Sequence, residues 1–108
     1  METFDRSFPS RPLRWPRGRD WALAGVVGSG NLEVLLEPGA TKPDAMECHV
    51  ETSIPGYRES WLAALRDFAT HYAAGGVRVT IHDQGAPPIV VTFRLRQAYD
   101  HLRKAGAK

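Results

Sequence analysis

Leu32, Val34 and Leu36 alternate with Glu33, Leu35 and Glu37, and the largely apolar run Trp-Ala-Leu-Ala-Gly-Val-Val at 21–27 precedes them across the tight sequence Gly28-Ser29-Gly30-Asn31. Side chains on a strand point to opposite faces in turn, so this stretch predicts a hairpin with one buried and one wet face. Met46, Cys48 and Val50 repeat the alternation against Glu47, His49 and Glu51, predicting a third strand after the Pro/Gly-rich turn around 38–43. Trp61, Leu62, Leu65, Phe68, Ala69 and Tyr72 recur at helical spacing. They predict an amphipathic helix whose outer face carries Arg58, Glu59, Arg66, Asp67 and His71 and which stops at Gly75-Gly76. Val77, Val79 and Ile81 predict a fourth strand, Ile89, Val91 and Phe93 a fifth, and Leu95, Ala98, Tyr99 and Leu102 a C-terminal helix.

The order points to an α+β fold, a small antiparallel or mixed sheet of about five strands with two helices packed on one face. Alternating rather than continuous apolar runs mark a sheet with one solvated side. Phe4 and Phe8 are placed to anchor a short edge strand. Beyond them, Pro9, Pro12 and Pro16 interleave with Arg11, Arg14, Arg17 and Arg19, a composition that blocks helix and central strand alike. Residues 1–20 therefore read as an Arg/Pro-rich arm on a single domain spanning 1–108, with Trp15 folded back on the core.

Composition bounds the function more than it names it. A chain of 108 residues, 43% hydrophobic and 24% charged, fits one domain. Its single cysteine, Cys48, excludes an intrachain disulfide. No apolar run reaches the roughly 18 residues of a membrane helix, and the first twenty residues lack a signal-peptide core, which together predict a cytoplasmic protein with no membrane partner. The net charge of +2 is uneven, at +2 over residues 1–20, −4 over 21–93 and +4 over 94–108. A mildly acidic body with basic ends is a weak signal for nucleic acid.

The residues also lack a catalytic constellation. Cys48 and His49 are adjacent on a strand and point to opposite faces, His71 sits on the wet side of its helix, and His82 and His101 have no ligand spacing, so no metal site is expected. Cys48 falls on an apolar face, where a thiol behaves as a small hydrophobe. His82-Asp83 reads as a solvent-facing pair where a strand ends. Neither a nucleophile elbow nor a phosphate-binding loop is present. What remains is the turn, where Gly28 and Gly30 strip bulk from both sides of Ser29 and present its hydroxyl at a hairpin tip. An ordinary glycine-rich turn and a serine presented for modification by another enzyme both account for it.

Three segments carry a family resemblance: G-V-V-G-S-G-N-L-E-V-L-L-E-P at 25–38, I-H-D-Q-G-A-P-P at 81–88 and V-V-T-F-R-L-R-Q-A at 90–98. They resemble the acyl carrier (delta) subunit of malonate decarboxylase and, more distantly, the acyl carrier (gamma) chain of citrate lyase. Asn31 stands where many members carry an acidic residue. The resemblance implies a non-catalytic carrier in which Ser29, in the turn Gly28, Gly30 and Asn31, bears 2'-(5''-phosphoribosyl)-3'-dephospho-CoA through a phosphodiester. The thiol of that group would hold acetyl and malonyl groups. The implied partners are the acetyl/malonyl transferase (alpha) subunit, the decarboxylase (beta and gamma) subunits, a prosthetic-group transferase and a malonyl-charging transferase, with Arg94, Arg96 and Arg103 as a candidate docking surface. The common acyl carriers place their serine in D-S-L at the start of a helix in an acidic bundle, a pattern this chain lacks. A citrate-lyase-type carrier and a small α+β RNA-binding or scaffold module are the competing readings.

Overall fold

The computed structural model describes residues 2–15, 21–25, 31–86 and 88–106, with side chains omitted at 88, 89 and 103–106. Its elements run β1 (Glu2–Pro9), β2 (Ala22–Gly25), β3 (Leu32–Pro38), β4 (Ala45–Thr52), α1 (Arg58–His71), β5 (Val77–Asp83) and α2 (Pro88–Gly106). The strands form one sheet in the order β1-β4-β5-β3-β2. β4 and β5 are parallel, joined through α1, and every other pairing is antiparallel. The α+β class, the mixed five-stranded sheet and the two helices are those expected from the hydrophobic pattern.

The alternation places the core. Leu32, Val34 and Leu36, Met46, Cys48 and Val50, and Val77, Val79 and Ile81 all turn to the buried side of the sheet. There they meet Trp61, Leu62, Leu65, Phe68 and Ala69 of α1 and Val91, Leu95, Ala98, Tyr99 and Leu102 of α2. Phe68 stacks on Tyr72, and both contact Tyr99 edge-on at 5.7 and 5.0 Å between ring centres, which locks the helices together. Trp15 packs half-buried against the core, as expected of an aromatic in that segment.

Two expectations are corrected. Residues 89–93 are not a fifth strand, because α2 already begins at Pro88. The β-branched run Ile-Val-Val-Thr suggests a strand, but Val91 continues the helical spacing of Leu95, Ala98 and Leu102 and is buried with them, while Phe93 is 57% exposed. Tertiary burial overrides a weak strand propensity, and proline suits the first helical turn. The fifth strand is β1, eight residues long and paired along its whole length with β4. Asp83 does not face solvent either. It continues the inward register of Val77, Val79 and Ile81 and is 4% exposed.

The two ends of the sheet differ. At one end β1 and β3 finish and β4 and β5 begin, and segments 10–15, 39–44 and 72–76 knit together there. At the other end β4 and β5 finish, both helices begin, β2 finishes and β3 begins.

Candidate functional site

Of the expected attachment turn, Gly28, Ser29 and Gly30 lie outside the described residues, and Asn31 lies within them. Gly25 adopts φ +83°, and a Cβ there would run into the Leu32 carbonyl oxygen, so glycine is required where the chain leaves β2. On the returning side, the Asn31 side-chain oxygen accepts the Leu32 N–H (2.8 Å), and its backbone carbonyl accepts the Gln84 N–H (2.9 Å). This ties the hairpin to the β5–α2 loop.

Arg94 closes the base from α2. Its Nη2 approaches the Asn31 side-chain oxygen at 3.4 Å, and its Nη1 donates to Gln97 Oε1 at 2.8 Å. Its Nε is buried without a hydrogen-bond partner among the described residues. Arg94 is thus a half-buried cation set against the root of the turn. Arg96, two residues on, is exposed on a different side of α2, and the Arg103 side chain lies outside the described residues. Arg94 and Arg96 therefore do not share one face of α2.

Beside the hairpin base, on the same end of the sheet, a cleft of about 320 Å³ opens between the β4–α1 and β5–α2 connections. Trp61, Ala64 and Val91 supply apolar wall, and Ile54 and Tyr57, both exposed, flank the mouth. Asp83 and Thr52 line its polar side. Thr52 Oγ1 donates to Asp83 Oδ2 (2.8 Å) and accepts the Ile54 N–H (3.1 Å), while Asp83 Oδ1 accepts the Ala86 N–H (2.8 Å). The buried carboxylate therefore organises both loops that frame the cleft. Sequence reading missed this role, although the every-second-residue register of β5 already placed Asp83 inside.

The solvated sheet face carries a row of alternating acids and histidines. His49 Nδ1 lies 2.7 Å from Asp5, His49 Nε2 and His82 Nε2 each lie 3.2 Å from Glu51 Oε2, and His82 Nδ1 lies 3.7 Å from Glu33. The Asp5 hydrogen bond, reinforced by Glu51, raises the His49 pKa above its ordinary value, and the His49 contact lowers that of Glu51. Among the described residues no group of three or more His, Cys, Asp or Glu is arranged to hold a metal ion. Cys48, on the opposite face of the same strand, is buried, and burial pushes its thiol pKa far up. No helix among the described residues is long and apolar enough to cross a membrane.

Known proteins fix the family. The profile of the malonate decarboxylase delta subunit (MdcD) family matches residues 19–102. The malonate decarboxylase acyl carrier protein of Xanthomonas campestris pv. campestris (strain B100) is 49% identical over 90 residues, covering 83% of this chain and 85% of its own. That of Stenotrophomonas maltophilia (strain K279a) is 43% identical over 103 residues, or 94% of each chain. A chain in the crystal structure of a Pseudomonas malonate decarboxylase hetero-tetramer in complex with malonate superimposes with a TM-score of 0.79 at 39% identity, covering 94% of this chain and 99% of that one. With these matches the chain belongs to the malonate decarboxylase delta-subunit family of acyl carrier proteins.

Proposed function

We propose that this carrier works through Ser29, which bears 2'-(5''-phosphoribosyl)-3'-dephospho-CoA on a phosphodiester. The observation that carries the reading is the braced hairpin base. Gly25 forces the exit from β2, Asn31 is held by Leu32 and Gln84, and Arg94 beside them has a buried N–H with no partner among the described residues. A serine two residues from such an anchor is presented on a fixed root, and the adjacent guanidinium complements a phosphodiester. The bound group supplies a thiol whose thioester carbonyl accepts the electron pair left when a malonyl group loses CO₂. The chain's own part is delivery, because tethering raises the effective concentration of the thioester at each partner site.

The partners that follow are an acetyl/malonyl transferase (alpha) subunit, decarboxylase (beta and gamma) subunits, the prosthetic-group transferase and the malonyl-charging transferase, all in the cytoplasm. Arg96 is exposed and suited to docking, whereas Arg94 is better placed to serve the turn. The test is the intact mass of the protein from its native host, compared with a Ser29→Ala variant. A mass increment equal to the dephospho-CoA-derived group, lost in the variant together with malonate-dependent CO₂ release, is the expected result. A native protein with the bare mass of the chain overturns the assignment of Ser29.

A further inference from the structure

The cleft between the two loops is unused by the carrier reading, yet it lies on the same end of the sheet as the Ser29 hairpin. Leu32 pairs with Asp83 across β3 and β5, and Gln84 bonds Asn31, so the cleft's polar wall and the hairpin root share one stretch of backbone. Two strand spacings, about 10 Å, carry the sheet from β3 across β5 to β4, where Thr52 continues that wall. A flexible arm rooted at the hairpin has a short path to this site. The volume of about 320 Å³ is at the small end for ligand sites and suits the end of an arm rather than a whole nucleotide.

We infer that the cleft shelters the acetyl thioester end of the Ser29 arm between partner visits and does not admit the malonyl form. This rests on the assignment of the arm to Ser29. The apolar wall of Trp61, Ala64 and Val91 matches a methyl group and a thioester sulfur, both of which gain by leaving water. The discrimination comes from Asp83. None of the described residues lining the cleft is basic, and its buried carboxylate already has both oxygens engaged by Thr52 and Ala86. A malonyl group would bring a second negative charge into this wall with no cation to receive it, whereas an acetyl group brings none. The carrier would thus hold the decarboxylated product inside and leave the malonyl substrate outside for the decarboxylase. Ile54 and Tyr57, exposed at the mouth, are the side chains an entering arm would pass.

The experiment uses the full chain carrying its arm, with loading verified by intact mass. ¹H–¹⁵N spectra are compared for the free-thiol, acetyl and malonyl forms, and the rate at which hydroxylamine cleaves each thioester is measured. The acetyl form is expected to shift the Trp61 indole and the Gly85 and Ala86 amides, and to react roughly fourfold more slowly than free acetyl-pantetheine, the factor that burial of one methyl-sized group produces. The malonyl form is expected to resemble the free thiol in its spectrum and to show no such protection relative to free malonyl-pantetheine. Filling the cleft by Ala64→Phe, or blocking it from the exposed rim by Ser60→Trp, should remove the shifts and restore the free rate. The rim variant leaves the core untouched, so loss of folding in Ala64→Phe does not obscure the answer. Verified acetyl loading with unshifted cleft resonances and no protection overturns the shelter while leaving the carrier assignment standing. Equal protection of both acyl forms overturns the discrimination. A bare Ser29 overturns the carrier assignment and the shelter with it.

Discussion

At the end of the sheet away from the hairpin tip, Ser10 Oγ accepts the Ala74 N–H (3.0 Å) and lies within hydrogen-bond reach of the Ala69 and Tyr72 carbonyls (2.7 and 2.9 Å). Gly75 donates to Arg11 and accepts from Leu13, Gly76 donates to Ala45, and Tyr99 Oη donates to the Ala73 carbonyl. Segments from four parts of the chain are pinned there by direct bonds. At the tip end the connections diverge instead. Asp83 braces the two loops, but between them is space, and among the described residues the exposed large hydrophobics Ile54, Tyr57 and Phe93 lie on or next to the segments that start there. One end is closed by direct backbone and side-chain bonds, and the other keeps a cleft and exposed apolar side chains of the kind that mark interaction surfaces.

That division predicts that substitutions at the pinned end act on stability, whereas those at the tip end act on the carried group. The largest effect is expected from Gly75→Ala, whose added Cβ meets the backbone carbonyls of Pro43, Ser10 and Arg11, none of which can swing aside. It should cost about 3 kcal/mol, a fall in Tm on the order of 15 °C by calorimetry. Ser10→Ala strands the buried Ala74 N–H and should cost about 2 kcal/mol by urea titration, with the mass of the loaded protein unchanged. Thr52→Val keeps shape but takes a donor from Asp83 and an acceptor from Ile54, and should cost about 1 kcal/mol by the same titration. A Thr52→Val loss larger than that of Ser10→Ala would break the comparison.

The smallest expected effect is on pH dependence and comes from the solvated face. His49 meets Asp5 from β1 and Glu51 from its own strand, while its register partner on β5 is the uncharged Thr80. A raised folded-state pKa means that the protonated imidazole stabilises the fold fully below its unfolded value of about 6.5, and that this contribution fades as pH rises through the folded pKa. Glu51 acts in the opposite direction. Its pKa is lowered, so its contribution is present above the ordinary carboxylate range and is lost as pH falls through the depressed value. Tm should therefore peak at about pH 5–6, between the two reference values, and decline gently on the alkaline side. His49→Gln should flatten that alkaline decline, and an unchanged pH profile in this variant would remove the histidine from the account.

Most of the fold was legible because the chain alternates so regularly. In β3, β4 and β5 every second side chain is buried, and α1 keeps one apolar stripe. Residues 89–93 misled because Ile-Val-Val-Thr suits a strand locally, and only the packing of Val91 with Leu95 and Leu102 decides for helix. The Ser29 turn could be singled out from its glycines, but Arg94 could not be assigned to it, since 63 residues separate Arg94 from Asn31 and only the packing of α2 brings them together. The cleft was invisible for a similar reason. It exists because β4 and β5 run parallel and release two loops at one end, and no local pattern in either loop encodes that meeting.

The burial of Cys48 has a chemical consequence for the thioester cargo proposed above. Thioesters pass readily to any accessible thiolate, and a carrier with a reactive cysteine of its own could acylate itself and stall. The single protein thiol here is walled in beneath the sheet and kept protonated, so it can neither intercept an acyl group nor form a mixed disulfide with the arm. On that proposal, cargo leaves by way of a partner enzyme, and the scaffold stays chemically silent while it is handed over.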